Sequence, residues 1–315
     1  MSGVVYFALS PRYVRSYNIL TLVTIPLLIQ LYPFQSKNQM SDSLYIDLLK
    51  KVLIDYHRME LGETPPIQRG KQKKPRYWLL YLLENVLKNS DFTIREKVPF
   101  NLEKRLNGKD WPTYAESMIG LKRMENIEFC VNDTIKNNVP GDLIETGVWR
   151  GGAVIFMRAL LKAANINDKT VWVADSFEGL PKPDEKNYQA DKGDDHYKFS
   201  SVLAISLEDV KHNFEKYGLL DDKVKFLKGW FKDTLPTAPI EKLSVLRLDG
   251  DMYESTINAL DSLYPKLSKG GYIIIDDYGV VEGAKQAVLD YRKKYNITEK
   301  IIDIDGAGVY WKREN

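Results

Sequence analysis

The hydrophobic pattern of the chain changes near residue 140. From there to the C-terminus, short apolar runs alternate with stretches whose apolar residues recur at helical spacing, and five runs end in a polar or glycine residue: "GDLIETG", "KTVWVADSF", "KVKFLKGWF", "LSVLRLDGD" and "GGYIIIDDY". Strands alternating with helices predict an α/β fold, with a mainly parallel, doubly wound sheet covered by helices on both faces. Such sheets bind ligands beyond the carboxyl ends of their strands, so we expect the functional residues there.

The residues before this sheet have a helical pattern. Residues 41–58 place apolar side chains at mostly helical spacing, residues 77–106 suggest a further helix and a polar loop, and "YAESMIGLKRMENIEFCVNDTIKNN" is typical of an amphipathic helix. The proline-containing, basic stretch "LGETPPIQRGKQKKPRYW" indicates a solvated linker or, alternatively, a docking surface for an anionic partner. We divide the chain into an extension (1–39), a helical region with substrate or lid elements (40–139) and the sheet domain (140–315).

The extension contains an uncharged segment at residues 16–36, "SYNILTLVTIPLLIQLYPFQS". A segment of about 20 apolar residues could span a bilayer, so a membrane anchor is one interpretation. Asparagine, threonine, proline and glutamine dilute the apolar character, however, and we favour an upstream extension. In that case the folded part begins near Met40, where "SDS" could cap the first helix.

The overall composition is that of an ordinary globular protein. The chain has 315 residues, of which 44% are hydrophobic and 28% charged, and its net charge of +2 gives no reason to expect nucleic acid as a partner. Its single cysteine, Cys130, excludes an internal disulfide, and no Cys/His cluster has the spacing of a zinc site. These features fit a reducing compartment such as the cytoplasm.

A glycine-containing loop follows the first predicted strand in "LIETGVWRGGAVIF". Its spacing, G-x-x-x-G-G, differs from the G-x-G-x-x-G of dinucleotide sites, and the acid before it favours a cationic or zwitterionic ligand over a phosphate. A purely structural turn is the alternative. The candidate cofactor residues of this loop are Glu145, Thr146, Gly147, Arg150, Gly151 and Gly152.

The next two strand ends could complete the cofactor site. Asp175, followed by Ser176, stands where an α/β nucleotide fold places an acid that accepts hydrogen bonds from a ribose, although an aspartate there could also cap a helix. Trp230 and Phe231 could offer an aromatic face to an adenine, or belong to the core. Two acids and a glycine loop at consecutive strand ends favour S-adenosylmethionine.

Four carboxylates follow two further strands, which is costly at buried positions unless something pairs with the charges. Asp249 and Asp251 end "VLRLDGD", and Asp276 and Asp277 end "YIIIDD". Strand ends on the same edge would bring these side chains together. Asp251 and Asp277 could alternatively cap the helices that follow.

From Tyr114 to Trp311 the sequence resembles the macrocin O-methyltransferase family, whose members methylate sugar hydroxyls of macrolides and related natural products. The resemblance rests on several long stretches, including "DLIETGVWRGGA", "VWVADSFEGLP", "YGLLDDKVKFLKGWFKDTLPTAP", "VLRLDGDMYEST" and "YPKLSKGGYIIIDDY". Residues 59–110 and "KPDEKNYQADKGDDHYKF" match the family less well; as variable loops they would contact the acceptor.

The resemblance implies a Rossmann-like methyltransferase sheet with an N-terminal helical addition, which uses S-adenosylmethionine and a divalent ion, usually magnesium, and which is often a homo-oligomer. It identifies Asp249, Asp276 and Asp277 as the metal-binding acids. Magnesium prefers oxygen ligands and can lower the pKa of a bound hydroxyl, so this all-oxygen set suits the chemistry.

The general base is harder to assign. Catechol-type relatives have a lysine where this chain has Met252, so the favoured candidate is the carboxylate of Asp249, with His196 of the lid-like loop as the alternative. The expected reaction is methyl transfer to a hydroxyl of a glycosylated or other small secondary metabolite. A catechol or phenol methyltransferase of the same fold, or a non-catalytic, membrane-tethered binding module, is the competing hypothesis.

Overall fold

The computed structural model describes residues 37–57, 75–87 and 99–315. Residues 44–315 form one compact unit, to which every contact below belongs. Most of the predicted extension, including its apolar segment, and most of the basic linker lie outside the described residues. Within those residues, no helix has the length and apolar character needed to cross a membrane.

Among the described residues before the sheet, the helices agree with the predicted pattern: α1 (Lys37–Leu53), α2 (Pro75–Leu87), the short α3 (Leu102–Leu106) and α4 (Leu121–Lys136). In α1 the buried apolar residues are Ile46, Leu49 and Leu53, whereas Leu44 and Leu48 are 66% and 60% exposed. The apolar face predicted for this helix is therefore wider than the face that it buries.

The remaining helices connect or cover strands. They are α5 (Gly152–Ala163), α6 (Ser200–Leu203), α7 (Leu207–Lys216), α8 (Phe231–Thr234), α9 (Tyr253–Leu263) and α10 (Glu282–Lys294). The strands are β1 (Asp142–Thr146), β2 (Val171–Asp175), β3 (Val224–Lys228), β4 (Leu243–Leu248), β5 (Leu267–Ile275), β6 (Ile302–Asp303) and β7 (Val309–Lys312).

The seven strands form one sheet of order β3-β2-β1-β4-β5-β7-β6. The first five in that order are parallel, and β7 pairs antiparallel with both β5 and β6. The order reverses between β1 and β4, which places the expected binding crevice at the carboxyl ends of these two strands.

The sheet separates two hydrophobic cores. Successive residues of a strand point to opposite faces, so Leu143 of β1 joins one core and Ile144 the other. The first core includes buried residues of α1, α4, α5 and α7, and the second includes those of α9 and α10. The doubly wound α/β architecture predicted from the sequence is confirmed.

Gly147 lets the two strands at the reversal point approach each other. Its φ is +81°, and a Cβ at this position would lie 1.6 Å from the carbonyl oxygen of Asp249. That atom belongs to the backbone, so it cannot rotate away. Only glycine fits between the cofactor loop and the acids that follow β4.

We expect Gly147→Ala to destabilise the protein by about 2 kcal/mol or more, because overpacking adds to the backbone strain. Gly193→Ala is the matched control, since Gly193 has the same φ of +81° but no atom near its virtual Cβ. Urea unfolding of both variants measures the difference. Equal losses would mean that backbone conformation alone, and not the approach to Asp249, requires glycine at 147.

Candidate active site

A cavity of about 510 Å³ lies at the carboxyl ends of the parallel strands. The cavity is lined by Glu145 of β1 and by Gly147, which follows that strand, and by Asp175 at the end of β2. Trp230 after β3 and the acids after β4 and β5 also line it. The segment of residues 181–203, which we call the lid segment, contributes His196 and Phe199. The predicted cofactor and metal halves therefore belong to one space.

Asp175 fixes the loop that follows β1. Its carboxylate accepts hydrogen bonds from the amides of Val148 at 2.8 Å and Phe177 at 2.7 Å. Burial raises the pKa of Asp175, and these backbone N–H groups lower it in part. No helix begins at Asp175, so the alternative of a helix cap is wrong.

The predicted cofactor residues divide into two groups. Five line the cavity: Glu145, Gly147, Asp175, Ser176 and Trp230. The other four, which are Thr146, Arg150, Gly151 and Gly152, do not line it.

Arg150, which the sequence assigned to the cofactor loop, does not line the cavity. Its guanidinium donates to the carbonyls of Thr113 at 3.0 Å and Ala115 at 2.8 Å, and it stacks 4.1 Å from the ring centroid of Trp149. Gly152 allows the segment before α4 to pack closely against α5, because a Cβ at position 152 would lie 2.5 Å from the Cβ of Ser117. Both residues hold the segment before α4 against the cofactor loop.

Two buried arginines lie among the acids, and sequence reasoning missed both. Arg247 of β4 pairs with Glu145, with Asp276 and, at 2.9 Å, with Asp249. Arg123 of α4 also pairs with Asp276. The two guanidinium groups thus neutralise part of the negative charge of the buried carboxylates.

Arg123 also forms an ion pair of 2.9 Å with Asp305. Burial alone would lower the pKa of Arg247, but the surrounding carboxylates of Asp276, Glu145 and Asp249 raise it well above its usual value. Both guanidinium groups therefore stay charged.

The acids outnumber these arginines. Burial, followed by the charges of neighbouring acids, raises the pKa values of Asp249 and Asp277 well above the usual range, although Arg247 and Arg123 respectively oppose the rise. Burial also raises the pKa of Glu145 to about 7 despite its pairing with Arg247. When ionised, the acids of this cluster carry more negative charge than Arg247 and Arg123 neutralise.

Three carboxylates have the arrangement of a cation site. Asp249, Asp276 and Asp277 each offer one oxygen, and these oxygens lie within 4.8 Å of one another. The donor set is entirely oxygen, which suits magnesium or another hard divalent ion. The residues present therefore fit the metal that the sequence predicted.

Asp251 is not a helix cap, which corrects one of the alternatives. It has a left-handed backbone with φ +56°, and its amide donates to Oδ2 of Asp277 at 3.2 Å. Burial, reinforced by Asp276 and Asp194 and opposed by His196, raises its pKa to about 6. Asp277 does not cap a helix either, because the N-cap of α10 is Val281.

The residue that caps α9 is Asp191 of the lid segment. Its carboxylate accepts from the amides of Tyr253 at 2.6 Å and Glu254 at 2.9 Å. No local sequence pattern indicates this contact, because the capping side chain lies more than sixty residues before the helix.

His196 lines the cavity beside Asp194 of the same segment. Its Nδ1 lies 2.8 Å from Oδ2 of Asp194. Burial lowers the pKa of His196, but the hydrogen bond and charge of Asp194 outweigh it, so that the pKa is raised. His196, the alternative base suggested by the sequence, thus lines the same cavity as the acids.

A family model, described as Macrocin-O-methyltransferase (TylF), matches residues 42–313. Demethyldecarbamoylnovobiocin O-methyltransferase of Streptomyces niveus is 50% identical over 279 residues, which cover 88% of this chain and 97% of that protein. Mycinamicin III 3''-O-methyltransferase of Micromonospora griseorubida is 50% identical over 213 residues, covering 67% of this chain and 84% of that one.

The solved structure of the O-methyltransferase NovP superposes with a TM-score of 0.74 at 48% identity, covering 87% of this chain and 100% of NovP. Such similarity over nearly the whole chain confirms the predicted Rossmann-like methyltransferase fold, which is that of enzymes using S-adenosylmethionine. It also excludes the non-catalytic binding module as the best description of the family. The chain belongs to the macrocin-O-methyltransferase (TylF) family of O-methyltransferases.

Proposed function

We propose that this enzyme transfers the methyl group of S-adenosylmethionine to a sugar hydroxyl of a glycosylated secondary metabolite and that the transfer depends on a divalent metal ion. The observation that carries the proposal is the position of the three candidate metal ligands in the same cavity as the cofactor loop. One cavity can thus hold a methyl donor and a hydroxyl acceptor side by side.

Three residues would bind the cofactor. Asp175 would accept hydrogen bonds from the ribose hydroxyls, because a carboxylate that already binds two amides retains free lone pairs. Oε2 of Glu145 is buried and has no hydrogen-bond partner among the described residues, so it could accept from the amino group of the methionyl part. Trp230 would pack against the adenine.

Asp175→Ala should weaken binding of S-adenosylmethionine by about 1.5–3 kcal/mol, or roughly ten- to a hundred-fold in Kd, since it removes a charged acceptor and frees the loop at Val148. Asp184→Ala is the matched control. The Asp184 carboxylate also accepts a hydrogen bond, from the side chain of Asn187 at 2.6 Å, but Asp184 does not line the cavity. Isothermal titration calorimetry compares them. Equal affinity for wild type and Asp175→Ala would remove Asp175 from the cofactor site.

Asp249, Asp276 and Asp277 would hold the metal ion, and Arg247 and Arg123 would keep two of these carboxylates in place. Such an ion, when bound, lowers the pKa of a hydroxyl and orients it. Asp276 accepts from both arginines, so its carboxylate is positioned before any ligand arrives. The chain thereby prepares the donor set at the cost of burying several charges.

Asp251 is our candidate for the general base, in place of Asp249. Asp249 is engaged by Arg247 and belongs to the donor set, whereas no salt bridge to Asp251 exists in the part of the chain that the structure describes. Asp251 lines the cavity next to Asp277, so it could take the proton of a hydroxyl placed there. His196 remains the alternative base.

The mouth of the cavity favours an acceptor with an apolar body. Trp111 and Phe199 are 52% and 47% exposed, line the cavity and have ring centroids 5.8 Å apart. A glycoside could place its sugar at the acids and its apolar part against these rings. Curated relatives named for such acceptors are consistent with this arrangement.

The competing acceptor is a catechol or phenol. Turnover should be measured with demethyldecarbamoylnovobiocin, mycinamicin III and catechol under identical conditions. We expect methylation of at least one of the two natural products and little of catechol. Preferential methylation of catechol would favour the alternative function while leaving the metal and cofactor assignments intact.

Homo-oligomerisation stays a prediction. Exposed apolar side chains on α1 and α2 are compatible with it: Leu44, Leu48, Trp78, Leu79, Leu82, Leu83 and Val86. Sedimentation of the full chain would determine the assembly.

A further inference from the structure

The lid segment is fastened to the helix that follows the acids by one buried carboxylate. Asp191 is 2% exposed, and its two oxygens accept from the amides of Tyr253 and Glu254. Met252 is the N-cap residue of α9 but provides no side-chain hydrogen bond. The first turn of α9 therefore depends on Asp191 for the acceptors that a local cap normally supplies.

The surroundings of Asp191 are closely packed. The ring of Tyr188 lies 5.9 Å from that of Tyr253, measured between centroids. From α10, the virtual Cβ of Gly283 would lie 2.9 Å from Oδ1 of Asp191 and 3.1 Å from the amide of Tyr253. Because Gly283 has no side chain, the Asp191 carboxylate fits beside it. The lid segment, α9 and α10 therefore meet at Asp191.

The fastened turn lies directly beside the acids. Asp251 and Met252 connect it to β4, and the left-handed backbone of Asp251 is one that few residues other than glycine, asparagine and aspartate adopt readily. The amide of Asp251 donates to Asp277, and that of Met252 to the carbonyl of Gly250 at 2.6 Å. The segment 249–252 is therefore held at one end by β4 and at the other by the turn that Asp191 caps.

The lid segment has a second attachment, which is to the cofactor loop. The indole Nε1 of Trp149, in the cofactor loop, donates to the carbonyl of Val202 at 2.9 Å. Between the two attachments lies His196, which lines the cavity. The contact at Asp191 thus attaches the lid segment and, at the same time, holds the first turn of α9 next to the acids.

We propose that Asp191 is a positioning residue, which couples attachment of the lid segment to the backbone conformation of Asp249–Asp251. The inference rests on the proposed function for the role of these acids, but the coupling itself involves only contacts within the chain. Loss of the carboxylate would free the lid segment and the acid segment together, whereas a simple helix cap would affect the helix alone.

The test compares Asp191→Ala with Asp191→Asn and with Ser206→Ala. Asparagine keeps one acceptor oxygen but turns its amino group toward the second backbone amide, so Asp191→Asn should recover only part of the wild-type behaviour. Ser206 caps α7 by accepting from the amide of Asp209 at 3.1 Å, and its loss controls for the removal of any cap. Trypsin cleavage at the exposed Lys186 and Lys192 reports opening of the lid segment.

Residue-resolved hydrogen exchange at the amides of Asp251 and Met252 reports the acid segment, because Asp191 contacts neither amide. In Asp191→Ala we expect both cleavage and exchange to be about five-fold faster or more, which corresponds to about 1 kcal/mol at 1.4 kcal/mol per factor of ten. Ser206→Ala should stay within about two-fold of wild type, and Asp191→Asn should lie between Ser206→Ala and Asp191→Ala.

Faster exchange confined to Tyr253 and Glu254, or faster cleavage with unchanged exchange at Asp251, would overturn the coupling. If Asp191→Ala does not fold, Gly283→Ala displaces the carboxylate from the opposite side and should produce the same two changes. Both readouts are made without metal or acceptor, so a failure of the proposed reaction would leave this result interpretable.

Discussion

Asp251→Asn is expected to lower kcat by about 10² to 10⁴ at saturating magnesium and S-adenosylmethionine, because it removes the carboxylate that we assign as base. Asparagine has nearly the same size and tolerates the left-handed backbone of Asp251, whose φ is +56°. The fold and cofactor affinity should therefore be unchanged.

Asp249→Asn provides the contrast for this experiment. It weakens the donor set and the pairing with Arg247, so its defect should be largest at low magnesium and should diminish as magnesium is raised. Turnover of both variants over a range of magnesium concentrations separates the roles. If magnesium fully restored the turnover of Asp251→Asn but not that of Asp249→Asn, Asp249 would be the general base.

Arg247→Met should destabilise the fold by about 3–5 kcal/mol near neutral pH, since it leaves buried acids without their cation. Arg247 is 1% exposed and pairs with Glu145, Asp249 and Asp276. Arg158→Met is the control, because Arg158 pairs with Asp221, whose side chain is 28% exposed and can be hydrated. Urea unfolding of both variants gives the comparison.

The loss in Arg247→Met should depend on pH in a defined direction. Burial raises the pKa of Glu145 to about 7 even beside the arginine, and removing the arginine raises it further. A carboxyl group whose folded-state pKa lies above its unfolded value destabilises the fold increasingly as pH rises between the two values. Relative to wild type, the deficit of Arg247→Met should therefore grow as pH rises above about 7 and shrink as pH falls to that value, and a deficit that grows on acidification would contradict this explanation.

The hydrophobic pattern was sufficient to predict the sheet and the edge that carries the site. Runs such as "VLRLDGD" show both a buried strand and the carboxylates at its end, and parallel strands bring such ends together. For that reason Asp175, Asp249, Asp276 and Asp277 were predicted, and the structure brings all four to one cavity.

The pairing partners of these acids could not be predicted in the same way. Arg247 did offer a signal, because a lone arginine within an otherwise apolar strand must find carboxylates when it is buried. Arg123 offered none, since an arginine in an amphipathic helix is usually exposed. Its contact with Asp276 depends on how α4 packs, and so involves residues 153 positions apart.

Local rules also misassigned residues whose partners are distant. Aspartates just before a helix are usually caps, yet Asp251 leaves that role to Asp191 of the lid segment. Arg150, in a loop that resembles a ligand cradle, binds the backbone of residues 113 and 115 instead. In both cases tertiary contacts decide between roles that the sequence alone left open.

The central claim is that the carboxylates of Asp249, Asp276 and Asp277 hold a divalent ion that methyl transfer requires. The most direct measurement is turnover of an accepted glycoside by the full chain, first with excess chelator and then after magnesium is restored. We predict that the chelator abolishes turnover, that magnesium restores it in the wild type, and that Asp277→Asn needs a higher magnesium concentration for the same recovery. Undiminished turnover in the presence of excess chelator would contradict the account.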